Sequence, residues 1–175
     1  MEENKQPSLL KSTMNYGAML GIILIIYTLL TWMLDIMNNE YLRYITFIIV
    51  IAGIVLATKT FRDQEQGGAI TYGRALGVGT LTVIFAGVIV SFFTYILYAV
   101  IDPGLIEKTY LLMEEQYYDA GMTDAQIETA MSMAKRFSNP VMMSVFGLIG
   151  YAIMGLIFSL ITSIFLKKEG DPFGV

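Results

Sequence analysis

The residues best suited to chemistry lie in one polar turn between two long apolar stretches. The turn contains Phe61-Arg62-Asp63, Gly67-Gly68 and Thr71-Tyr72-Gly73-Arg74. Backbone N–H groups at the start of a helix, together with two guanidinium groups, can bind a phosphate or an anionic lipid headgroup. The sequence therefore predicts an anion site with four members, Arg62, Gly67, Gly68 and Arg74. The alternative is that the arginines only anchor this turn at a membrane surface.

Other reactive chemistry is largely excluded by the composition. The chain contains no histidine and no cysteine, which removes imidazole acid–base chemistry, thiol nucleophiles and disulfides. A zinc or haem site would lack its usual ligands. The polar turn also lacks the G-x-x-x-x-G-K-[ST] pattern of a nucleotide-binding P-loop. We therefore expect no enzymatic activity, no cofactor, no metal site and no nucleic-acid partner.

Four apolar stretches without charged residues position this turn and fill most of the chain. They cover residues 12–34, 44–58, 75–101 and 137–166. Because a helix needs about 20 mostly apolar residues to cross a hydrocarbon layer of ~30 Å, we predict four transmembrane helices. The predicted spans are residues 14–34, 41–58, 72–101 and 140–166. The first is too long for a signal-peptide core and lacks an A-x-A-like cleavage site, so we expect it to be retained.

Composition and the distribution of basic residues predict the topology. Apolar residues make up 55% of the chain and charged residues only 15%, against ~25% charged in soluble domains, so we expect one membrane domain over residues 1–175. Seven basic residues flank the spans on one side: Lys5, Lys11, Lys59, Arg62, Arg74, Lys167 and Lys168. Four flank them on the other side: Arg43, Lys108, Lys135 and Arg136. The positive-inside rule therefore places both termini in the cytoplasm.

The segment of residues 103–138, between the third and fourth spans, has the local signals of two helices. Asp102 can cap a helix that begins at Pro103, because proline is favoured at the first helical position. Gly121 can close this helix in a left-handed conformation. Thr123 and Gln126 have the spacing of a capping box for the next helix. We therefore predict a helical hairpin on the extracytoplasmic side of the membrane.

This predicted hairpin is strongly acidic. Residues 102–139 contain seven acidic and three basic residues, a net charge of −4, and the formal net charge of the whole chain is also −4. One interpretation is that an outward-facing segment is free to be acidic without any function. The alternative is that its acidic surface attracts a basic protein partner or divalent cations.

Small residues in the spans predict how the helices pack. Lipid tails are as apolar as leucine, so contacts between membrane helices depend on small residues and on close backbone approach. The small-residue pairs include Gly17-x-x-x-Gly21, Gly73-x-x-x-Gly77 and Ser159-x-x-x-Ser163. We expect these residues to pack within one four-helix bundle. The alternative is a homodimer formed through one of these faces.

Several short motifs occur in a recognisable order along the chain. They are Tyr16-Gly17 with Gly21, Phe61-Arg62-Asp63, the run from Gly67 to Ala75 that includes Gly73, Ile101-Asp102-Pro103, the stretch from Gly121 to Ala130, and Asn139-Pro140. In these motifs the chain resembles the DUF4199 family, uncharacterised small inner-membrane proteins found mainly in Bacteroidota. The resemblance covers nearly the whole chain and implies a multi-pass protein of the bacterial inner membrane. It transfers no activity and no catalytic residue.

These features predict an all-α membrane protein, a four-transmembrane-helix bundle with an extracytoplasmic helical hairpin between helices three and four. We expect a non-enzymatic accessory or scaffold protein, whose partners are the lipid bilayer and a protein bound through the acidic hairpin. The alternative is a small oligomeric transporter or a lipid-carrier flippase subunit. Transport by a monomer is disfavoured, because the spans offer hydroxyl groups but no acidic or basic residue at mid-membrane depth.

Overall fold

A computed structural model describes residues 8–37 and 39–168, which form six helices. Their bounds are α1 Leu9–Met33, α2 Glu40–Thr60, α3 Tyr72–Ile96, α4 Leu105–Asp119, α5 Asp124–Phe137 and α6 Pro140–Leu166. This part of the chain contains no strand, so the all-helical prediction is confirmed. Lys5, one of the basic residues behind the predicted orientation, lies outside the described residues.

Four helical segments are long and apolar enough to cross a membrane, as predicted. They are Leu9–Met33, Tyr41–Glu65, Tyr72–Ile101 and Pro140–Leu166. The shortest of them have 25 residues. At 1.5 Å per residue, 25 residues extend about 37 Å, which exceeds a hydrocarbon layer of ~30 Å. The chain therefore has the helices of a multi-pass membrane protein.

Two of the long helices end in a π-helical turn, which the sequence analysis did not predict. α2 continues through Phe61–Glu65, and α3 continues through Leu97–Ile101. Such turns, with hydrogen bonds between residues i and i+5, are rare and occur frequently at functional sites. The first of them contains Arg62 of the predicted anion site.

The helices form two compact units. The first contains the described residues up to Val90 and from Leu148 onward, and the second contains Ser91–Gly147. The core of the first unit consists of Leu20, Leu24, Val50, Ile54, Val83, Ala86 and Val90. Tyr151 and Phe158 of α6 pack against this core. Within the first unit, all four long helices therefore contribute to one apolar core.

Glycines allow the helices of the first unit to approach each other closely. A Cβ atom on Gly17 would lie 2.5 Å from Cβ of Phe85 and 2.8 Å from the carbonyl oxygen of Thr82. A Cβ atom on Gly155 would lie 2.7 Å from Cβ of Val83. Real Cβ atoms essentially never have neighbours this close, so these positions exclude a side chain. The predicted packing through small residues within one chain is therefore confirmed at Gly17, and Gly155 allows a second close approach.

The predicted pair Gly73-x-x-x-Gly77 does not pack in this way. A Cβ atom at either position would meet no described atom within 4 Å. Gly73 is exposed, and Gly77 is partly exposed. The expected contact within one chain is therefore wrong for this pair, because this face of α3 does not meet another helix of the first unit.

In the second unit, local signals set the turn between α4 and α5, as predicted. Gly121 follows α4 and has a φ of 75°, in the left-handed region. Its N–H donates to the carbonyl of Tyr118 (2.9 Å), which closes the helix. Thr123 and Gln126 form the capping box at the start of α5. α4 and α5 contact each other beyond this short turn.

The start of α4 differs from the prediction. α4 begins at Leu105, and Gly104 is its N-cap. Asp102 is therefore not the cap, and Pro103 is not the first helical residue. The N–H of Asp102 instead donates to the carbonyl of Leu97 (2.8 Å), which closes the π-helical turn after α3. Because this bond holds Asp102 at the end of the preceding helix, Pro103 and Gly104 form the turn before α4.

Candidate functional site

The polar turn after α2 is tied to the chain that follows α6. Gly67 and Gly68 have φ values of 66° and 88°, a region that glycine adopts without strain. The N–H of Gly68 donates to the carbonyl of Arg62 (2.9 Å). Ile70 and Lys168 form an antiparallel bridge, with N–H to carbonyl distances of 2.8 and 3.0 Å. These bonds hold the turn against the end of α6.

Arg62 is engaged by protein groups in this turn. Its Nε donates to Oδ1 of Asp63 (2.7 Å), and its Nη2 donates to Oδ2 (3.1 Å). Its Nη1 donates to the carbonyl of Leu166 at the end of α6 (3.3 Å). The two-point pair with Asp63 offsets the charge of Arg62 locally. The third bond satisfies a carbonyl group that a helix leaves unpaired at its C-terminus.

The four residues of the predicted anion site therefore differ in availability. Arg74 is exposed near the start of α3, and the positions next to Gly67 and Gly68 are open. Arg62, by contrast, would have to exchange Asp63 for an incoming anion. Anion binding at this turn stays a prediction.

The same turn contains a carboxylate, Glu65, that was not among the predicted site residues. Glu65 is the last residue of the π-helical turn and is half-buried. Its Oε1 accepts a hydrogen bond from the hydroxyl of Tyr16 (3.0 Å), and its Oε2 accepts one from the hydroxyl of Ser12. Glu65 thereby connects the end of the second long helix to the beginning of α1.

Two sequence signals point to this cluster. Ser12 and Tyr16 are spaced i, i+4, so a helix places both hydroxyls on one face. Glu65 is an acidic residue at the end of a membrane-length segment, where a partly buried carboxylate requires hydrogen-bond donors. The sequence alone could not show that Tyr16 bonds to Glu65, because the two residues are 49 positions apart.

We expect Tyr16→Phe to lower the free energy of unfolding by about 1–2 kcal/mol, because it removes a hydrogen bond to a carboxylate. The measurement is thermal or denaturant unfolding of the purified protein in a mild detergent. Tyr41→Phe is the matched control, since Tyr41 is exposed, and it should leave unfolding unchanged. Equal effects of the two substitutions would contradict a stabilising contact with Glu65.

A cleft with acidic walls lies between α4 and α5 in the second unit. Its volume is about 460 Å³. Its walls carry the carboxylates of Glu114, Asp124 and Glu128, and the buried Ile127 and Met131 provide apolar lining. The other lining residues are Tyr118, Ser132 and Lys135. The cleft therefore suits a ligand that carries both cationic and apolar groups.

The negative charge of this cleft changes the pKa of Tyr118, one of the residues that line it. The charge of Asp124, followed by desolvation and the charge of Glu114, raises the pKa of Tyr118 above its ordinary value of 10.0. The phenolate is disfavoured because its surroundings are already negative. A negative ligand would meet the same repulsion, whereas a cationic ligand would be attracted.

The acidic residues do not converge on one point. Within residues 8–37 and 39–168, no group of three or more carboxylates is placed to hold a metal ion. A hard cation such as Ca²⁺ takes about six to eight oxygen ligands. The carboxylates of the cleft therefore act as separate charges, which match several cationic groups on a partner better than one ion.

A different set of polar atoms lies inside the first unit. Within the described residues of this unit, five buried hydroxyl groups have no hydrogen-bond partner: Thr58, Thr80, Thr82, Ser159 and Ser163. Ser159 lies directly against Gly79, where there is no room for a side chain. Membrane helices commonly satisfy such hydroxyls within their own backbone. These unpaired groups are the structural feature most consistent with a polar pathway between the helices.

The chain matches a family of proteins over most of its length. No curated protein and no solved structure matches it. The family model described as a protein of unknown function, DUF4199, matches residues 15–168. This range includes the polar turn, Tyr16 with Glu65, and the cleft between α4 and α5. The chain therefore belongs to the DUF4199 family.

Proposed function

We propose that this protein is a non-enzymatic accessory or scaffold protein of the bacterial inner membrane. Its four long helices hold it in the bilayer, and α4 and α5 form an extracytoplasmic hairpin that binds another protein. The observation that supports this proposal best is the acidic cleft between α4 and α5, with its buried apolar lining. Protein interfaces combine an apolar centre with a polar rim in the same way.

The proposed orientation places both termini and the polar turn in the cytoplasm. It rests on the seven-to-four distribution of basic residues on the two sides of the spans. The acidic hairpin then faces away from the cytoplasm, where a positively charged segment of a partner can reach it. The bacterial inner membrane is proposed from the resemblance to the family's known members.

We expect neutralising the cleft to weaken partner binding. Glu114→Gln, Asp124→Asn and Glu128→Gln together remove three charges and preserve the size of each side chain. The amount of retained partner should fall at least about tenfold, because close charge pairs at an interface contribute about 1.5 kcal/mol or more each. The measurement is affinity purification from native membranes in mild detergent, with quantitative mass spectrometry of the co-purifying proteins.

A second triple variant is the matched control for this experiment. Glu107→Gln, Glu115→Gln and Asp119→Asn remove the same number of charges from α4 at exposed positions that do not line the cleft. This variant should retain the partner. An equal loss in both variants would assign the effect to the general charge of the hairpin and would contradict a role of the cleft.

The unpaired hydroxyls support a second candidate, a small oligomeric transporter or a lipid-carrier flippase subunit. Thr58, Thr82, Ser159 and Ser163 are buried where a pathway between helices would run. All buried polar residues of the described chain are serines and threonines. Proton relays and ion pathways in membranes commonly use ionisable residues as well. A transporter of this kind would therefore have to form its pathway between several copies.

A further inference from the structure

A groove between α1 and α2 of the first unit is not used by the proposed function. Its volume is about 540 Å³, which lies within the range of small-molecule sites. Met19 and Ile23 line it from α1, and Ala52 and Leu56 line it from α2. These four side chains are exposed in the protein alone, so the groove is open to its surroundings. In a membrane, these surroundings are the acyl chains of lipids.

The groove exists because α2 presents small residues towards α1. The two helices touch at Gly53, where a Cβ atom would lie 2.7 Å from a methyl carbon of Leu20. Next to this contact, Ala52 and Ala57 line the groove and leave space that larger side chains would fill. The sequence of α2 therefore produces a channel along the helix pair, with room for a slender apolar chain.

The length of the groove matches one leaflet of a bilayer. From Ile49 to Thr60 its lining follows α2, a distance of about 16 Å at 1.5 Å per residue. Half of a ~30 Å hydrocarbon layer is about 15 Å. The groove ends close to Glu65, which is also where the segment Tyr41–Glu65 ends. The groove therefore covers the central part of this segment, and the hydrogen bond between Tyr16 and Glu65 connects one end of the groove to the end of the segment.

The surface end of the groove is polar and carries a carboxylate. Tyr16 and Thr60 line this end, and the hydroxyl of Tyr16 donates to Oε1 of Glu65 (3.0 Å). Glu65 has hydroxyl partners but forms no ion pair with a described residue, whereas Asp63 is paired with Arg62. A carboxylate that has no cationic partner among the described residues can attract a positively charged hydrogen-bond donor.

We propose that this groove binds a phospholipid with a primary ammonium headgroup, with one acyl chain between α1 and α2 and the ammonium group beside Glu65. A primary ammonium has three N–H donors, and each oxygen of Glu65 has lone pairs beyond those used by Ser12 and Tyr16. A choline headgroup has the same charge but no N–H donor. A glycerol headgroup has no positive charge.

The test is native mass spectrometry of the purified protein with an equal mixture of three lipids that have identical acyl chains. The lipids are phosphatidylethanolamine, phosphatidylcholine and phosphatidylglycerol. We expect the wild type to retain phosphatidylethanolamine about tenfold over each of the others. Glu65→Gln keeps the size of the side chain and an acceptor for Tyr16, but should lower this retention about tenfold, to the level of phosphatidylcholine.

Two further variants separate the groove from the headgroup contact. Ala52→Leu should reduce retention of all three lipids, because the larger side chain fills the groove at an exposed position that the fold tolerates. Glu115→Gln removes one charge at an exposed position of α4 that does not line the groove, and should keep the preference for phosphatidylethanolamine.

Each outcome decides part of the proposal. Equal retention of the three lipids by the wild type, or an unchanged preference in Glu65→Gln, would overturn the headgroup assignment. Stronger retention of phosphatidylglycerol would assign the lipid contact to exposed basic residues such as Lys59 and Arg74. Retention by Ala52→Leu equal to that of the wild type would overturn the groove as the binding site.

Discussion

Gly17→Ala should lower the free energy of unfolding by about 2–3 kcal/mol, since overpacking a close-packed core costs on this order. The added methyl carbon would lie 2.5 Å from Cβ of Phe85 and 2.8 Å from the carbonyl oxygen of Thr82. Neither atom can rotate away, because one belongs to the backbone of α3 and the other is fixed directly to it. α1 and α3 must therefore move apart. Thermal or denaturant unfolding in mild detergent, followed by circular dichroism, measures the change.

Gly77→Ala is the matched control for this prediction. It adds the same methyl group to a glycine within a long helix, but no described atom lies within 4 Å of the new carbon. Alanine loses less backbone freedom than glycine on folding, so this variant should gain about 0.5–1 kcal/mol. Changes of the same sign and size in Gly17→Ala and Gly77→Ala would contradict the contact between α1 and α3.

The contrast between these two glycines illustrates what the sequence could not determine. Both belong to a G-x-x-x-G pair in an apolar helix, and the sequence predicted packing for both. Which pair meets a neighbour depends on how each helix is rotated about its axis. α1 and α3 are apolar on all sides, so the sequence contains no amphipathic stripe that would fix this rotation.

Features that depend on neighbouring residues were predicted more successfully. The end of α4 at Gly121 and the capping box of Thr123 with Gln126 each need only a few adjacent positions. The predicted start of α4 was wrong, because the N–H of Asp102 bonds to the carbonyl of Leu97 in the preceding π-helical turn. The sequence had no signal for that turn, so Asp102 was assigned to the wrong helix.

The candidate sites also differ in how much of each could be predicted from the sequence. The acidic segment could be predicted from its charge alone. The cleft could not, because it forms only where α4 and α5 contact each other. The cluster around Glu65 was missed because its partners, Ser12 and Tyr16, belong to a distant part of the chain. The bond from Arg62 to the carbonyl of Leu166 could not be predicted either, because it depends on the approach of α6.

The second large effect is expected when residues 103–138 are replaced by a Gly/Ser linker. This change removes α4 and α5, whereas the four membrane-length segments and the core of the first unit lie outside the replaced range. The linker only has to join the ends of α3 and α6, and the entropy of loop closure rises slowly with length. We therefore expect an inserted, folded bundle whose retained partner falls to the background level.

Quantitative co-purification of this linker variant is the most direct test of the proposed function. Tagged wild type and variant, expressed at equal levels and extracted from native membranes in mild detergent, are compared by mass spectrometry of the bound proteins. We expect the wild type to retain a specific protein partner, and we expect the variant to lose this partner while remaining folded in the membrane. Retention of every partner by the variant would contradict the scaffold function, and a loss of transport in Ser159→Ala or Thr82→Val would then favour the transporter.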